Sequence, residues 1–503
     1  MTTTTSGPSV SAQPPAPDTT VRTYRQFIDG EWVEARSGAT VESRNPLDDS
    51  VFARVPASSR EDAAAAVQAA ERAQPAWAAL APSEKRHLFL RAADLLEART
   101  DRFADALAAE TGTGRAFAQF QLGWSVSLLR HAAGWVFRPS GELLRSDNPH
   151  TMAFAERKPL GVVAGFTPWN GATVLAWRTV VAPLAAGNTV VVKPSEEAPV
   201  TAGLMVAEVL AEAGFPAGTI NVVTHAPADA ADLAEEFYAN PAVRCLNFTG
   251  SAGTARTIAG RSGAALKRSV MELGGYNHVI VRDDADVDHA ARLVAFSAFF
   301  HQGQICMNAR RVLVHRPLHD AFLARLVQVA ESLPVGDPRD PSTIVGPLIN
   351  DRAVAQVRTR VTEAVAAGAR IATGGTISGR ICRPTVLTDV PDDISVSCEE
   401  TFGPVVIVRP VDDDEEAISL VNASRYGLSF SVVTADTARG MEIASRVDSG
   451  AVHVNTPTVN DEAHMPNGGV KDSGWGRSGV DALDDFTEIR WMTVELGTRA
   501  LPL

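Results

Sequence analysis

Cys306 is the side chain of this sequence best suited to covalent chemistry. It follows Gly303-Gln-Ile, after a helix-like run and before an apolar, strand-like run, where a thiol can be exposed. A thiolate is the strongest common side-chain nucleophile. Because most lone cysteines are simply small buried hydrophobic residues, a catalytic role depends on the groups that accompany the thiol.

Two further segments could supply a base and an oxyanion donor. Glu272 lies in Met271-Glu-Leu-Gly-Gly, at the end of a predicted strand, where a carboxylate could act as a general base. Asn170 follows the predicted strand 162–166, and its amide could donate a hydrogen bond to a developing oxyanion. Taken singly, each segment is as typical of an ordinary loop.

Other strand ends carry residues that suit a dinucleotide. Lys193, Ser195 and Glu196 follow one apolar run, and Gly250 and Ser251 follow another, just before a predicted helix. Ligands of open α/β sheets bind at the carboxyl ends of strands, and the N–H groups at a helix start favour a pyrophosphate. No Gly-x-Gly-x-x-Gly segment occurs, so a dinucleotide would have to be held without that fingerprint.

The elements that must position these residues follow an alternating pattern. Between residues 161 and 281, apolar runs alternate with helix-length segments, which predicts buried parallel strands joined by crossover helices. The alternation returns between residues 287 and 408 as a second unit. No glycine- or serine-rich linker separates the two units, which predicts tight packing with a ligand cleft between them. Earlier, Asp29-Gly30 predicts a hairpin, Ser59 a helix cap, and Ser83 the approximate start of a second helix.

Composition excludes several classes of function. A chain of 503 residues should form two or three structural units, and a net charge of −13 argues against nucleic-acid binding through a basic surface. The four cysteines form no Cys-x-x-Cys pair and no zinc-like cluster with histidine, which predicts no metal site and favours the cytoplasm. No apolar run is long enough to span a membrane. Residues 1–22 are predicted to be a disordered tail without the features of a signal peptide.

Residues 27–493 resemble the aldehyde dehydrogenase superfamily in their order of motifs. Five of the residues above occur in that family's order: Asn170, Lys193, Gly250, Glu272 and Cys306. Glu400-Thr-Phe-Gly-Pro is similar to the family's Glu-x-Phe-Gly-Pro motif, and Met465-Pro-Asn-Gly-Gly-Val-Lys with Ser473-Gly to its C-terminal motif.

The resemblance implies an α/β fold of the aldehyde dehydrogenase type. Residues 23–141 and 162–272 would form a parallel-sheet NAD-binding domain, and residues 273–480 an α/β catalytic domain. Residues 142–161 and 481–503 would form a small β oligomerisation arm, in which segments 142–158 and 487–494 extend towards a second subunit. A homodimer or homotetramer would follow.

The resemblance also implies a reaction and the roles of three residues. Cys306 would attack an aldehyde to form a thiohemiacetal, whose oxyanion the Asn170 amide and the Cys306 backbone N–H would stabilise. Hydride transfer to the nicotinamide would leave a thioester, and Glu272 would activate the water that hydrolyses it.

For the cofactor, the resemblance assigns the adenosine ribose to Lys193 and Glu196, and the pyrophosphate to Ser251. Glu400 would hold the nicotinamide ribose, and Phe402 would lie against the nicotinamide. The remaining residues expected at the cofactor are Phe166, Thr167, Trp169, Ser195, Gly250 and Leu273. The Glu196 carboxylate would repel a 2′-phosphate, which predicts NAD in preference to NADP.

The chain departs from the family pattern at four positions. Tyr276 replaces a common lysine, and Ala255 replaces the second glycine of Gly-Ser-x-x-x-Gly, which puts in doubt the closest backbone approach to the cofactor. Gly171 and Asn467 stand where many members carry phenylalanine, which predicts a wider or more polar aldehyde tunnel.

Substrate preference is a further hypothesis from the resemblance. Trp177, Phe300 and Ile305 would line the tunnel with apolar surface. The segments that begin at His301 and Pro457, together with Arg178, are most similar to members acting on benzaldehyde, salicylaldehyde or vanillin. An aromatic aldehyde is therefore one hypothesis, and an aliphatic aldehyde or a semialdehyde is the alternative.

Three other functions compete with this one. A cysteine hydrolase could use Cys306 with His301 or His464, but it would leave the residues assigned to a cofactor without a role. A CoA-acylating dehydrogenase would have no need of Glu272 as a base for water. A non-catalytic binding protein would not need Cys306, Asn170 and Glu272 together.

Overall fold

The structure is a computed structural model and describes residues 21–499 and residue 501. The predicted disordered tail therefore lies almost entirely outside the described residues. The described chain begins with short strands: β1 (Arg22–Thr23), β2 (Gln26–Ile28), β3 (Glu31–Val33), β4 (Thr40–Arg44) and β5 (Val51–Pro56). Asp29 and Gly30 join β2 to β3 with φ angles of 54° and 82°, so the predicted hairpin is confirmed.

A helical layer follows, with two strands after it. Its elements are α1 (Arg60–Ala79), α2 (Pro82–Ala98), α3 (Thr100–Thr111), α4 (Arg115–Trp135), β6 (Gly141–Leu144) and β7 (Thr151–Pro159). The backbone N–H of Ser59 donates to the Asp62 carboxylate at 2.9 Å, so the predicted helix start is confirmed. The helix expected near Ser83 begins at Pro82.

The first large sheet is built from alternating strands and helices. They are β8 (Val162–Thr167), α5 (Ala172–Ala185), β9 (Thr189–Pro194), a π-helical turn (Val200–Leu204), α6 (Met205–Ala213), β10 (Ile220–Val222), α7 (Ala230–Ala239), β11 (Val243–Gly250), α8 (Ala252–Ala264) and β12 (Arg268–Leu273). Its core order β12-β11-β8-β9-β10 is parallel throughout. The chain proceeds outward from β8 in both directions, so the carboxyl ends of β8 and β11 form a topological switch point, where ligands bind.

The second large sheet repeats this architecture. Its region comprises β13 (Asn277–Val281), α9 (Val287–Phe299), β14 (Ala309–His315), α10 (His319–Ser332), α11 (Asp351–Ala366), β15 (Arg370–Thr373), β16 (Ile377–Ser378), β17 (Ile381–Cys382), β18 (Thr385–Thr388), α12 (Ser395–Cys398), β19 (Val405–Val411), α13 (Asp414–Asn422), β20 (Tyr426–Gly427), β21 (Ser429–Val433), α14 (Thr437–Arg446) and β22 (Ala451–Val454). Strands β18-β19-β14-β13-β21-β22 are parallel, and β15 is antiparallel to β18 at one edge. The predicted α/β fold with parallel sheets is confirmed.

The connection between the two sheets creates the cleft. Only residues 274–276 separate the end of β12 from the start of β13. The carboxyl edge of the first sheet therefore meets the amino edge of the second, where β14 and β19 also begin. Side chains that follow β8, β9, β11 and β12 thus face loops that precede β14 and β19.

The C-terminal elements return to the first sheet and to β7. They are β23 (Val470–Lys471), β24 (Gly474–Trp475), α15 (Ala482–Asp485) and β25 (Thr487–Glu495). β24 pairs antiparallel with β12, so a strand expected in the catalytic domain completes the first sheet instead. β25, β7 and β6 form an antiparallel sheet from the two segments assigned to the arm. Among the described residues, no helix is both long enough and apolar enough to cross a bilayer.

Candidate active site

A cleft of about 370 Å³ lies where the edges of the two large sheets meet. Eleven of the predicted site residues line it: Trp169, Asn170, Ser195, Glu196, Gly250, Ser251, Glu272, Leu273, Cys306, Glu400 and Phe402. This volume is typical of small-molecule sites. The fold therefore brings together residues that are far apart in the chain.

The loop that carries Cys306 has an unusual backbone. His301, Gln302 and Gly303 have φ angles of 52°, 46° and 68°, which are left-handed values. A Cβ on Gly303 would collide with the carbonyl oxygen of Gly403, so the close approach of these two backbones requires glycine. The turn ends the helical path after α9 and directs the chain into the cleft.

Two side chains fix this loop from below. The buried Arg310 guanidinium donates to the carbonyl oxygens of Gly303 (2.9 Å), Ile305 (3.3 Å) and Gly403 (3.0 Å). The Asn277 amide donates to the carbonyl oxygen of Cys306 at 2.8 Å. The thiol is therefore held in place before any ligand binds, which lowers the entropic cost of reaction. Neither residue was predicted to have this role. Arg310, for example, lies in a strand, and the local sequence does not show which groups it contacts.

The Cys306 thiol is half-buried and borders an apolar cluster. The cluster comprises Phe117, Phe300, Ile305, Met307, Leu428 and Val459. Burial, and then the negative charge of Glu400, raises the pKa of Cys306 to about 12, while Arg178 acts in the opposite direction. The thiol is consequently protonated near neutral pH, so bond formation by sulfur requires a proton acceptor.

Asn170 lies just beyond β8, beside the cysteine loop. Its amide nitrogen donates to the carbonyl oxygen of Gln304 at 3.0 Å. The Gln304 side-chain oxygen in turn accepts from the backbone N–H of Ile349 at 3.1 Å. An amide carries two N–H bonds, so Asn170 is anchored by one and retains the other for a ligand.

Glu272 is the second-to-last residue of β12. It lines the cleft and also a smaller cavity on its far side. Burial raises the pKa of its carboxyl to about 8, while the positive charges of Arg178 and Arg477 act in the opposite direction. A carboxyl that titrates near neutral pH suits a general base.

The smaller cavity has a volume of about 20 Å³, which is room for roughly one water molecule. Arg178, Arg477 and Glu272 are among the residues that line it. The Arg178 guanidinium is paired with Asp461 and lies 4.8 Å from the centre of the Trp124 ring. The role of Asp461 was not predicted, although it lies in the segment whose resemblance to other members was noted.

The other predicted substrate residues fall in different places. Phe300 and Ile305 belong to the apolar cluster at Cys306. Asn467 is buried and its amide contacts the Met307 sulfur at 3.7 Å. Trp177 is wholly buried in α5 and lines neither of the two cavities.

The start of α8 faces the cleft. Ser251 precedes this helix, and its hydroxyl accepts from the backbone N–H of Thr254 at 3.3 Å. Ala255, the predicted departure from the family's glycine, is buried in the apolar core under the sheet. Its methyl group therefore packs inward and does not line the cleft.

Lys193 lies behind the cleft wall, in contact with a histidine that was not predicted. Its Nζ is 2.7 Å from Nε2 of His225. His225 Nε2 also lies 3.1 Å from the Pro194 carbonyl oxygen, and its Nδ1 lies 2.9 Å from the Ala226 carbonyl oxygen. Burial lowers the pKa of Lys193 to about 8, with Glu196 opposing this shift.

Phe166 and Thr167 are also behind the wall. Phe166 is buried in the core beneath the sheet. The Thr167 hydroxyl donates to the Ala202 carbonyl oxygen at 2.8 Å, and the Thr167 carbonyl accepts from the N–H of Ser195 at 2.8 Å. These two residues support the cleft wall.

Glu400 and Phe402 line the opposite wall. A Glu400 carboxylate oxygen accepts from the N–H of Gly275 at 3.3 Å, and a Cβ on Gly274 would collide with the same carboxylate. Burial raises the pKa of Glu400 to about 7, while Arg310 acts in the opposite direction. Phe402 meets Trp169 edge to face, with ring centres 5.6 Å apart.

One contact across the cleft was missed. The Asn350 amide donates to the Glu197 carboxylate at 2.7 Å, and Arg352 and Gln356 of α11 line the same cleft. An asparagine followed by aspartate signals a helix start, but it does not reveal which surface the helix faces.

Tyr276 and Gly171, two further departures from the family pattern, are both buried. The Tyr276 hydroxyl donates to the Val396 carbonyl oxygen at 3.1 Å, so this residue is part of the core. Gly171 is buried at the start of α5, and a Cβ there would lie 3.1 Å from Val174. Within residues 21–499 and 501, no three His, Cys, Asp or Glu side chains form a metal-binding cluster.

Comparison with known proteins agrees with this geometry. A profile described as "Aldehyde dehydrogenase family" matches residues 32–492. A vanillin dehydrogenase of Pseudomonas fluorescens is 44% identical over 478 residues, which cover 95% of this chain and 99% of that protein. A salicylaldehyde dehydrogenase of Pseudomonas putida is 36% identical over 471 residues, which cover 93% and 97%. The crystal structure of a salicylaldehyde dehydrogenase from Pseudomonas putida G7 complexed with salicylaldehyde matches with a TM-score of 0.94 and 35% identity, over 96% of this chain and 100% of that one. The chain therefore belongs to the aldehyde dehydrogenase family, and it is an enzyme that oxidises aldehydes.

Proposed function

We propose that this enzyme oxidises an aromatic aldehyde to the carboxylic acid, with NAD as hydride acceptor and a thioester on Cys306 as intermediate. The observation that carries the proposal is that the Cys306 thiol, the Asn170 amide and the Glu272 carboxyl line one cleft. The names of the vanillin and salicylaldehyde dehydrogenases support an aromatic substrate.

In the first step, the Cys306 sulfur bonds to the aldehyde carbon and loses its proton. Because the pKa of the thiol is raised to about 12, this proton must leave as the bond forms, and it passes to water in the cleft, which leaves Glu272 ionised for the later hydrolysis step. The aldehyde oxygen becomes an oxyanion, towards which the second N–H of Asn170 is free to donate. One such donor typically stabilises the transition state by about 3–4 kcal/mol.

Glu196, Glu400 and Phe402 would hold NAD, which would supply the acceptor for the hydride that leaves the former aldehyde carbon. The acyl group then remains on the Cys306 sulfur as a thioester. Glu272 removes a proton from a water molecule as its oxygen attacks the thioester carbon. The carbon–sulfur bond breaks, the thiol is restored, and the carboxylic acid leaves.

The residues present fit a dinucleotide. Gly250 and Ser251, which immediately precede the first turn of α8, line the cleft, and the backbone N–H groups at a helix start favour a pyrophosphate. Glu196 is exposed at the mouth and can accept from ribose hydroxyls, with Lys193 as a donor behind it. Glu400 and Phe402, on the opposite wall, would hold the nicotinamide riboside.

The surface beside Cys306 suits an aromatic ring. Phe117 stacks on the His301 ring at 4.3 Å between centres and meets Phe300 edge to face at 5.5 Å. Aromatic rings gain energy from both geometries in addition to apolar burial. We propose that Phe300 and Ile305 contact the substrate ring, with Arg178 and Asn467 farther along its path and Trp177 supporting them from the core.

A substrate panel tests this proposal. With NAD held constant, we expect kcat/KM for vanillin and benzaldehyde to exceed that for propanal and succinic semialdehyde by at least about tenfold, which corresponds to about 1.4 kcal/mol of differential binding. Initial rates of NADH formation provide the measurement. Equal or higher efficiency with the aliphatic aldehydes would refute the aromatic assignment.

Replacing Glu196 tests the cofactor preference. We expect Glu196→Gln to raise kcat/KM for NADP by roughly tenfold and to tighten NADP in a titration by protein fluorescence, because a carboxylate no longer opposes the 2′-phosphate. Glu31→Gln, at an exposed position of the outermost strand, is the matched control and should change neither value. A wild-type enzyme that prefers NADP would contradict the account.

We also propose a cytoplasmic homodimer or homotetramer that binds no nucleic acid. All four cysteines are free, and the net charge is −13. The three-stranded sheet of β6, β7 and β25 exposes apolar side chains suited to a second subunit: Leu143, Leu144, Met152, Ile489, Trp491, Met492, Val494 and Leu496.

A further inference from the structure

A buried ion pair joins the two halves of the molecule next to Glu272. Arg178 lies in α5, which packs on the first sheet, and Asp461 lies between β22 and β23, in the second half. The two side chains are only 15% and 5% exposed. The Trp124 ring covers the guanidinium at 4.8 Å. The pair therefore occupies one defined position in the core.

This pair belongs to a small group of charges around Glu272. Arg178 and Glu272 line the same cavity of about 20 Å³. The titratable and charged groups that act on Glu272 from every side are Arg178 on α5, Asp461 between β22 and β23, Arg477 and Asp485 in the C-terminal segment, and Cys306 in the facing loop. His453 is a further neighbour of Asp461.

We propose that Asp461 is a positioning residue for the Glu272 base: its ion pair holds Arg178 against Trp124 and sets the net positive charge that Glu272 experiences. This inference rests on the proposed function, in which Glu272 activates the hydrolytic water.

Charge balance explains why such a residue is useful. Without Asp461, the full charge of Arg178 would stabilise the Glu272 carboxylate and make it a weaker base. Without Arg178, burial alone would favour the protonated acid, which cannot accept a proton. With both residues present, Asp461 offsets part of the Arg178 charge, and Arg178 offsets part of the effect of burial on Glu272. Within the described chain, Arg178 Nε and Asp461 Oδ1 have no hydrogen-bond partner, so the pair is not bidentate and its charge is only partly satisfied.

The experiment measures the decay of the acyl-enzyme against pH. The complete enzyme with NAD is mixed with vanillin, quenched at intervals, and the thioester is quantified by mass spectrometry between about pH 5 and pH 10. In Asp461→Asn, we expect the midpoint of the rise in decay rate to move to lower pH by roughly one unit, because Arg178 is no longer offset. In Arg178→Gln/Asp461→Asn, the midpoint should move to higher pH, since Arg178 affects Glu272 more strongly than Asp461 does.

Two variants serve as controls. Asp461→Glu keeps the charge and should restore the wild-type midpoint. Asp414→Asn removes an equally buried carboxylate, 7% exposed, that pairs with Arg282 at 3.1 Å and Arg439 at 2.7 Å in the second half of the chain. Asp414→Asn should lower the melting temperature and leave the midpoint of the decay rate unchanged. The comparison separates the general effect of losing a buried carboxylate from the specific effect of losing Asp461.

The outcomes distinguish the inference from the function on which it rests. A folded Asp461→Asn enzyme with the wild-type midpoint overturns the role of Asp461 while leaving Glu272 as the base. If Asp461→Asn does not fold, the Arg178→Gln/Asp461→Asn variant provides the test. An unchanged midpoint in that variant would also overturn the role of the Arg178–Asp461 pair. If Glu272→Gln retains the wild-type rise with pH, the base assignment is wrong and the inference falls with it.

Discussion

Replacing Cys306 with alanine is expected to lower aldehyde-dependent NADH formation by at least about 10⁴-fold, because no other group in the cleft can form the thioester. Binding of NAD, followed by protein fluorescence, should change less than about threefold, since Cys306 is not among the residues proposed to hold the adenosine or the pyrophosphate. The measurement is the initial rate with vanillin at saturating NAD.

The matched control is Cys398→Ala, which removes an exposed thiol that does not line the cleft. The Cys398→Ala enzyme should retain wild-type turnover. A second control is Cys382→Ala, which removes a buried thiol and should also retain wild-type turnover. Substantial turnover in Cys306→Ala would exclude covalent catalysis by this residue.

Replacing Glu272 with glutamine is expected to lower steady-state turnover by about 10²–10⁴-fold, the usual contribution of a general base. The thioester should form and then persist, so the first turnover should produce a burst of NADH that approaches one per Cys306. A burst followed by a slow phase distinguishes lost hydrolysis from lost acylation. Loss of the burst as well would mean that Glu272 is required to deprotonate the thiol.

The pH dependence follows from the same carboxyl. Burial raises the pKa of Glu272 to about 8, and only the ionised form is a base. Hydrolysis of the thioester should therefore rise with pH up to about pH 8 and level off above it, and Glu272→Gln should abolish this rise. Glu110→Gln is the control, because the pKa of that core carboxyl is also raised, to about 7, by burial outside the cleft. In Glu110→Gln, the rate of thioester hydrolysis should rise with pH as it does in the wild type.

The positions of Asn170 and Glu272 were accessible from the sequence for a physical reason. Apolar runs long enough for buried strands, separated by helix-length segments, predict a parallel sheet whose strand ends share one edge. Residues that follow β8 and β12 must then lie close together, and the structure has them in one cleft. Cys306 could be assigned to the cleft only through the resemblance, because it precedes its strand instead of following one.

The cysteine loop could not be predicted from local sequence. Left-handed values of φ at His301 and Gln302 are unfavourable for residues with a Cβ and persist because distant groups hold them. The Gln302 amide donates to the carbonyl oxygens of Gly112 and Pro347, both at 3.1 Å. Those partners lie in other parts of the chain, so no window around Cys306 contains the information.

The same limit applies to the charges around the base. Arg178 and Asp461 are 283 residues apart, and only the packing of α5 against the segment after β22 makes them a pair. Ala255 is a further example: the sequence pattern puts in doubt the closest backbone approach to the cofactor there, and only the structure shows that the side chain packs into the apolar core.

The most direct test of the account is to find the acyl group on the protein. Glu272→Gln enzyme, mixed with vanillin and NAD and quenched in acid within the burst, is digested and its peptides are mapped by mass spectrometry. The account predicts a vanilloyl thioester on the peptide that contains Cys306, formed only when NAD is present. An unmodified Cys306 peptide, or an acyl group on Cys245, Cys382 or Cys398 instead, would contradict it.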